Sequence, residues 1–165
     1  MELVPYRDSD LRLTAALEGD PVVMKELGGP LSPEEIRAAH GRRMVAAASG
    51  WWLTIVPEPA GEPVGTIGAW PITWEGEETH ETGWMVLSAF HGQGIATEAL
   101  RLLLERARPE FAELHAFPGR TNPASNALCR KFGFELLGEC DGDYAGRPLH
   151  CNHWRVALDG PPRSA

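Results

Sequence analysis

The chain predicts a mixed α/β fold built on one sheet. Three observations carry that prediction. Residues 51–56 and 64–70 are rich in aromatic and β-branched side chains, as strands are. Residues 32–35 carry the capping signals of a helix running to about residue 47, and the stretch after Gly94 has the 3.6-residue apolar spacing of a helix with one buried face. After an opening set of strands the second half reads β-α-β-α-β, an order that makes a mixed sheet with flanking helices.

In chain order, residues 3–6 predict a short first strand. Asp8, Ser9 and Asp10 offer caps for a helix through Leu11, Leu13 and Leu17. Gly28-Gly29-Pro30 breaks the chain, and Ser32-Pro33-Glu34-Glu35 restarts it with Ser32 as N-cap, Pro33 at the first helical position and Glu35 near the capping-box position. Residues 51–56 and 64–70 read as a hairpin around a turn at residues 57–63. Residues 71–78 read as a loop carrying Trp74, Glu75, Glu77 and Glu78, and residues 81–87 as a further strand. Ala96, Ala99, Leu100, Leu103 and Ala107 then give a helix one buried face, which Leu102 and Leu104 widen; Pro109 stops it. Residues 113–117 predict a short strand. Asn122-Pro123-Ala124-Ser125 opens a helix that closes at Gly133. Residues 135–139 and 150–158 read as late strands around a glycine-rich connection. Residues 1–159 are expected to form one domain, with 160–165 a loose tail.

Composition bounds the function. The chain has 165 residues, 43% hydrophobic and 23% charged, with formal net charge −8. A general nucleic-acid binder would show a basic footprint instead. The acidic balance suits cationic partners such as amines, although an acidic surface more often serves solubility alone. Three cysteines (Cys129, Cys140 and Cys151) and no targeting pattern predict a reducing, cytoplasmic setting. Cys140 and Cys151 lie near His150 and His153, but no CxxC spacing is present and no metal site is expected. No apolar run reaches the roughly 18 residues of a membrane span.

The most informative stretch is residues 84–100: a buried strand, the turn Gly92-Gln93-Gly94, then a helix start. That order aims backbone N–H groups and a positive helix end at one point, where an anion such as a pyrophosphate fits. A dinucleotide fingerprint needs a third small residue where Thr97 stands and a βαβ unit with a terminal acid, and too little chain follows for that fold. A phosphate-transferring loop would require Gly-Lys-Ser/Thr, which is absent.

Residues 81–100 closely resemble motif A of the GNAT superfamily of acyl-CoA N-acyltransferases, Gln/Arg-x-x-Gly-x-Gly/Ala at a strand-to-helix junction. Gly94 and Ala96 fill the two small positions, and His91 stands where Gln or Arg is usual. The segment from Asn122 through Ser125 and Cys129 to Gly133-Phe134 is similar to the family's Asn-x-x-Ser…Gly-Phe segment. Asp20-Pro21-Val22-Val23-Met24 and Gly28-Gly29-Pro30 resemble the first helical region of the RimJ/RimL branch, which acetylates N-terminal amines of ribosomal proteins and many small amines. The resemblance covers most of the chain. It implies a central, mostly antiparallel sheet with one splayed parallel strand pair, and acetyl transfer from acetyl-CoA to a primary amine in a ternary complex. It implies no metal and no covalent acyl-enzyme. A non-catalytic acyl-CoA-binding domain of the same fold is the competing class. Oligomeric state, monomer or homodimer, stays open.

Each candidate residue follows from this. Gly92 and Gly94 permit a tight turn and close approach to phosphate. Gln93, Ile95, Ala96 and Thr97 would contribute backbone amides, and Thr97 a hydroxyl. By resemblance, the strand at Met85, Val86 and Leu87 binds the pantetheine arm, and the N–H near Val86 or Leu87 polarises the thioester oxygen. Glu81 is the candidate general base. A lysine-like amine with a pKa near 10.4 needs about 4.6 kcal/mol to be neutral at pH 7, and an α-amine near 7.7–8.0 needs far less. Strand alternation puts Glu81 with Gly83 and Met85, opposite His80, Thr82 and Trp84; a plain structural acid is the alternative. Asn122 and Ser125 are candidates to hold the pantetheine or assist the leaving thiolate, and both suit ordinary helix caps. Cys129 occupies the position where many relatives carry an acidic tyrosine; Ser125 is favoured over it as proton donor, with Tyr144 a third candidate. Trp70 and Trp74, with Trp84, are expected to wall the acceptor site, and Trp51 and Trp52 to pack in the core. The acceptor is expected to be defined by the first helices and by loops at residues 71–78 and 141–148.

Overall fold

A computed structural model describes residues 1–58 and 61–160. Strand β1 (Glu2–Pro5) leads through helices α1 (Leu11–Glu18) and α2 (Pro33–Ala47) into β2 (Trp52–Val56), β3 (Gly65–Trp74) and β4 (Glu77–Val86). Helix α3 (Ile95–Ala107), β5 (Glu113–Ala116), α4 (Pro123–Lys131), β6 (Glu135–Tyr144) and β7 (Arg147–Ala157) follow. The strands form one seven-stranded sheet in the order β1-β2-β3-β4-β5-β7-β6. Neighbours are antiparallel except β4 and β5, which run parallel.

The helices start where their sequences say. Ser32 caps α2, the Ser32 N–H donates to Glu35 Oε2 at 2.7 Å, and Pro33 fills the first turn without losing a bonded N–H. Helix α3 buries Ala99, Leu100, Leu103, Leu104 and Ala107, the face its spacing predicts. With Leu128 and Cys129 of α4, these pack on Leu53, Ile55, Ile67, Ala69 and Val86 of the sheet. The opposite sheet face is covered by the α1–α2 region, where Met24, Leu31 and Ala39 pack with Met85 and Tyr144. Alternation along β4 therefore sorts its side chains. Trp84 and Val86 join the α3 side, while Met85 joins the α1–α2 side with Gly83 and Glu81.

Two expectations are corrected. Residues 71–78 are not a loop: β3 continues to Trp74 and β4 begins at Glu77, joined by the two-residue turn Glu75-Gly76 with φ 50° and 86°. Pro71 is tolerated because the β2–β3 register ends at Trp52↔Gly68, so at Pro71 β3 pairs only with β4. Likewise residues 141–148 belong to a long β6–β7 hairpin that turns at Ala145-Gly146 with φ 50° and 80°. Both turns have the positive φ pair of a type I′ hairpin, in Glu-Gly and Ala-Gly rather than the usual Asn-Gly. Gly160 donates its N–H to the Phe111 carbonyl at 3.1 Å; residues 161–165, the rest of the expected tail, lie outside the described residues. Among the described residues no helix is long and apolar enough to cross a membrane.

Candidate active site

The parallel pair is the key local feature. Strands β4 and β5 share a single register pair, Glu81↔His115, and then separate. Beyond Glu81 one edge of β4 is therefore open. Backbone groups alternate between the two edges of a strand. The Leu87 N–H, just past the end of β4, donates to the Val64 carbonyl at 2.8 Å, on the β3 side. Val86 faces the other way, and its carbonyl accepts from His91 Nε2 at 2.8 Å. Of the two amides expected to meet a thioester, Leu87 is thus already paired and Val86 points to the open edge.

The glycine turn sits at the end of that edge. Gly92 and Gly94 hold φ 74° and 77°, and a Cβ built at either would meet no protein atom within 4 Å. The turn therefore needs glycine for its backbone conformation, and the space above it is open for a ligand's close approach. Gly94 is the N-cap of α3, and no side chain caps it. The first bond of the ladder is Glu98 N–H to the Gly94 carbonyl at 3.0 Å, so the Ile95, Ala96 and Thr97 amides precede it and point out of the helix end. Backbone N–H groups and open space thus meet at one point, the arrangement that an anion site requires. His91 does not reach into it. Its ring folds back to fasten the turn to the strand at Val86, a role that the motif alone did not disclose. Gln93 similarly donates from Nε2 to the Ala89 carbonyl at 3.1 Å, so its side chain too folds back onto the turn. Ser88 Oγ donates to Asp20 Oδ2 at 2.5 Å, tying the turn to the α1–α2 segment.

Glu81 lies partly buried on the α1–α2 face. Burial pushes its carboxyl up from 4.5 to about 7, and a hydrogen bond from the Trp70 side chain partly offsets this. Trp70 is its register partner on β3, and the Trp70 ring lies over Gly83, where a Cβ would come within 2.8 Å of it. Trp52 packs on Trp70 at 4.7 Å with the rings tilted and lies under Arg43, so it belongs to this wall rather than to the core beneath α3. Trp51 packs on Phe111 at 4.6 Å, as a core residue does. Trp84 is corrected: it packs on the α3 side and does not line the acceptor face. Trp74 reaches the Glu81 face from the hairpin end, with Phe117 and His153 at 4.8 and 4.7 Å.

On α4, Asn122 accepts the Ser125 N–H at 3.0 Å as N-cap, so its carbonyl oxygen serves the helix. Ser125 is half-buried, and among the described residues its hydroxyl has no hydrogen-bond partner. Cys129 is corrected: it is 0% exposed in the core, and burial pushes its thiol up to about 12, so it holds its proton too tightly to protonate a leaving thiolate. Tyr144 donates to Glu18 at 2.9 Å, and burial with that carboxylate raises its pKa. Asn126, which sequence reasoning passed over, is the clamp of this region. It donates to the Gly119 and Asn122 carbonyls and accepts from Asn152 and Trp154 at 2.7 and 2.8 Å. An Asn inside the helix, past the Asn122 cap, was its only sequence signal. Cys140 and Cys151 are register partners across β6 and β7. Among the described residues no group of three His, Cys, Asp or Glu side chains is arranged to hold a metal ion.

Comparison with known proteins agrees with this geometry. No curated protein matches the chain. A ribosomal-protein-alanine N-acetyltransferase from Brucella melitensis superposes with TM-score 0.75 at 26% identity, covering 96% of this chain and 100% of that one. A GNAT superfamily phosphinothricin acetyltransferase from Sinorhizobium meliloti, in complex with AcCoA, gives 0.74 at 22% identity over 95% and 88%. The putative acetyltransferase yncA from Salmonella typhimurium, with its cofactor acetyl-CoA, gives 0.72 at 18% over 96% and 94%. Residues 1–135 match the family described as Acetyltransferase (GNAT) domain, and the chain belongs to that family.

Proposed function

We propose that this protein, as one catalytic domain spanning residues 1–159, transfers the acetyl group of acetyl-CoA directly to a primary amine in a ternary complex. The acceptor is a protein N-terminus or a small amine, in the manner of the RimJ/RimL branch, and the setting is cytoplasmic. The observation that carries the reading is Glu81: a partly buried carboxyl, pushed up to about 7, at the point where β4 and β5 part. A base with that pKa is half ionised near neutral pH, where a general base works best.

The roles follow from position. Amides of residues 93–97 hold the pyrophosphate at the α3 end. The open edge of β4 at Val86 pairs with the pantetheine arm, the Met85 backbone being turned to β3, and the Val86 N–H polarises the thioester oxygen as negative charge develops on it. Glu81 takes a proton from the ammonium, so that a neutral nitrogen attacks the acetyl carbon. The tetrahedral intermediate collapses with loss of the thiolate; the Ser125 hydroxyl donates its proton to that thiolate, and the second proton released by the attacking nitrogen returns to Ser125 Oγ, leaving a neutral amide and the free thiol. Trp70 and Trp74 wall the acceptor side. Support for the acetyl donor comes from the similar structures that hold acetyl-CoA.

Thiol release from acetyl-CoA tests this directly, with an alanyl peptide, a seryl peptide, spermidine and an aminoglycoside as acceptors. Release that depends on the amine is expected. Tight acetyl-CoA binding without release on any of them would instead indicate a non-catalytic acyl-CoA-binding domain.

A further inference from the structure

The face that carries Glu81 holds a second titratable cluster that the transfer as described leaves unused. His115, the register partner of Glu81, is 6% exposed, and His153 is 7% exposed. His115 Nδ1 stands 2.7 Å from His153 Nε2, and His115 Nε2 stands 3.2 Å from Glu113 Oε1. A carboxylate only accepts. His115 therefore carries its proton on Nε2 and donates it to Glu113, which makes its Nδ1 an acceptor. The proton between the two rings then belongs to His153 Nε2, and His153 keeps a bare Nδ1.

His153 is also a wall of a cleft of about 270 Å³, shared with Trp74, Glu75, Glu139 and Cys140. Glu81 is the register partner of His115, whose Nδ1 meets His153 at 2.7 Å, so the His153 wall of this cleft stands on the same sheet face, beside the proposed base. The groups facing His153 are His115 and Glu113 from β5, Arg155 from its own strand, and Glu75 from the β3–β4 turn. Burial, then His115, holds its pKa below the ordinary range, so the bare Nδ1 persists at neutral pH. Phe117 stacks on it at 4.7 Å and fixes the ring.

Resting on the acetyl-transfer reading above, we propose that His153, held by His115 and Glu113, is a second proton-accepting group of the acceptor cleft that clears Glu81 after each transfer. The step balances without any co-reactant. The O–H bond of protonated Glu81 breaks, the proton crosses cleft water, and an N–H bond forms at His153 Nδ1. The resulting imidazolium is stabilised through His115 by the Glu113 carboxylate. Product departure opens the cleft, the Nδ1–H bond breaks, and the proton passes to bulk water. His153 is the accepting residue; His115 and Glu113 are positioning residues.

Two measurements test it. Long-range ¹H–¹⁵N NMR of the full chain, without ligand, is expected to find His153 protonated on Nε2 with a bare Nδ1; a proton on Nδ1 overturns the proposal. With acetyl-CoA and whichever alanyl peptide or spermidine is turned over, His153→Gln is expected to lower kcat about 10–100-fold with KM for acetyl-CoA unchanged, and added imidazole buffer to restore the rate. Glu113→Gln, at the partly exposed end, is the second variant if His153→Gln does not fold; it is expected to lower kcat and move its pH profile. A folded variant with wild-type kcat and pH profile, or a loss that imidazole leaves untouched, overturns the proposal. Absence of thiol release by the wild type with every amine would instead remove the acetyl-transfer reading and leave the tautomer result standing.

Discussion

Burial makes the ionised Glu81 carboxyl a cost to the fold. Its carboxyl is raised from 4.5 to about 7 by burial, so the folded state holds a proton that the unfolded chain has released in that window. Stability therefore falls as pH rises from 4.5 to about 7, and the loss is complete above it. Glu81→Gln has no charge to bury. It is expected to be more stable than wild type by up to about 3 kcal/mol at pH 8, with the gap closing below pH 4.5, as thermal unfolding across pH would measure. Equal stability at pH 8 would place the carboxylate in water rather than in the cleft. At this scale the chain was partly legible. Alternation alone put Glu81, Gly83 and Met85 on one face and Trp84 on the other. The inward fold of His91 and the paired Leu87 amide depend on which strand edge is open, and that is a tertiary fact.

The glycine turn and α3 form the element with the clearest sequence signal, because its residues act through backbone that only glycine permits. Gly94→Ala would force a Cβ into a left-handed conformation at a cost of about 1–2 kcal/mol, and would place it where a diphosphate must approach. The expected result is a small drop in Tm and a rise in KM for acetyl-CoA of about tenfold or more, equivalent to about 1.4 kcal/mol. Unchanged KM would show that the amides of residues 95–97 do not meet the phosphates. The hairpins were the least legible elements. Trp74-Glu75-Gly76-Glu77 and Tyr144-Ala145-Gly146-Arg147 lack Asn or Asp at the first turn position, and their strands carry charged, glycine-rich sequence. Long cross-strand registers stabilise them instead, and local composition does not encode those registers.

The whole molecule divides at the sheet into an apolar half under α3 and α4 and a polar half under α1 and α2. The apolar half was legible from helix periodicity. The polar half was not, since its contacts join residues far apart in the chain. Buried Glu18 pairs with Arg43, which donates to Thr14 at 2.9 Å and to Met85 Sδ at 3.5 Å. Tyr144 donates to the same Glu18 from the β6–β7 hairpin, and Arg147 reaches Glu35 at 3.1 Å. These bonds fasten the hairpin and the two helices across the acceptor side. Removing one partner strands a charge that is 0% exposed at Glu18. Arg43→Ala is therefore expected to cost about 3–5 kcal/mol by denaturant unfolding; a loss below about 1 kcal/mol, as for an exposed pair, would mean that water reaches Glu18.

The central claim is that acetyl transfer runs from the parting of β4 and β5 with Glu81 as base. Its most direct test is the pH–rate profile of thiol release from acetyl-CoA, wild type against Glu81→Gln, with an acceptor that the wild type turns over. Wild-type kcat should rise with pH through about 7, where the Glu81 carboxyl ionises, and level off above it. Glu81→Gln should keep the KM for acetyl-CoA, lose about 100-fold or more in kcat near neutral pH, and lose that inflection. A Glu81→Gln enzyme that keeps wild-type kcat and the same inflection would contradict the account.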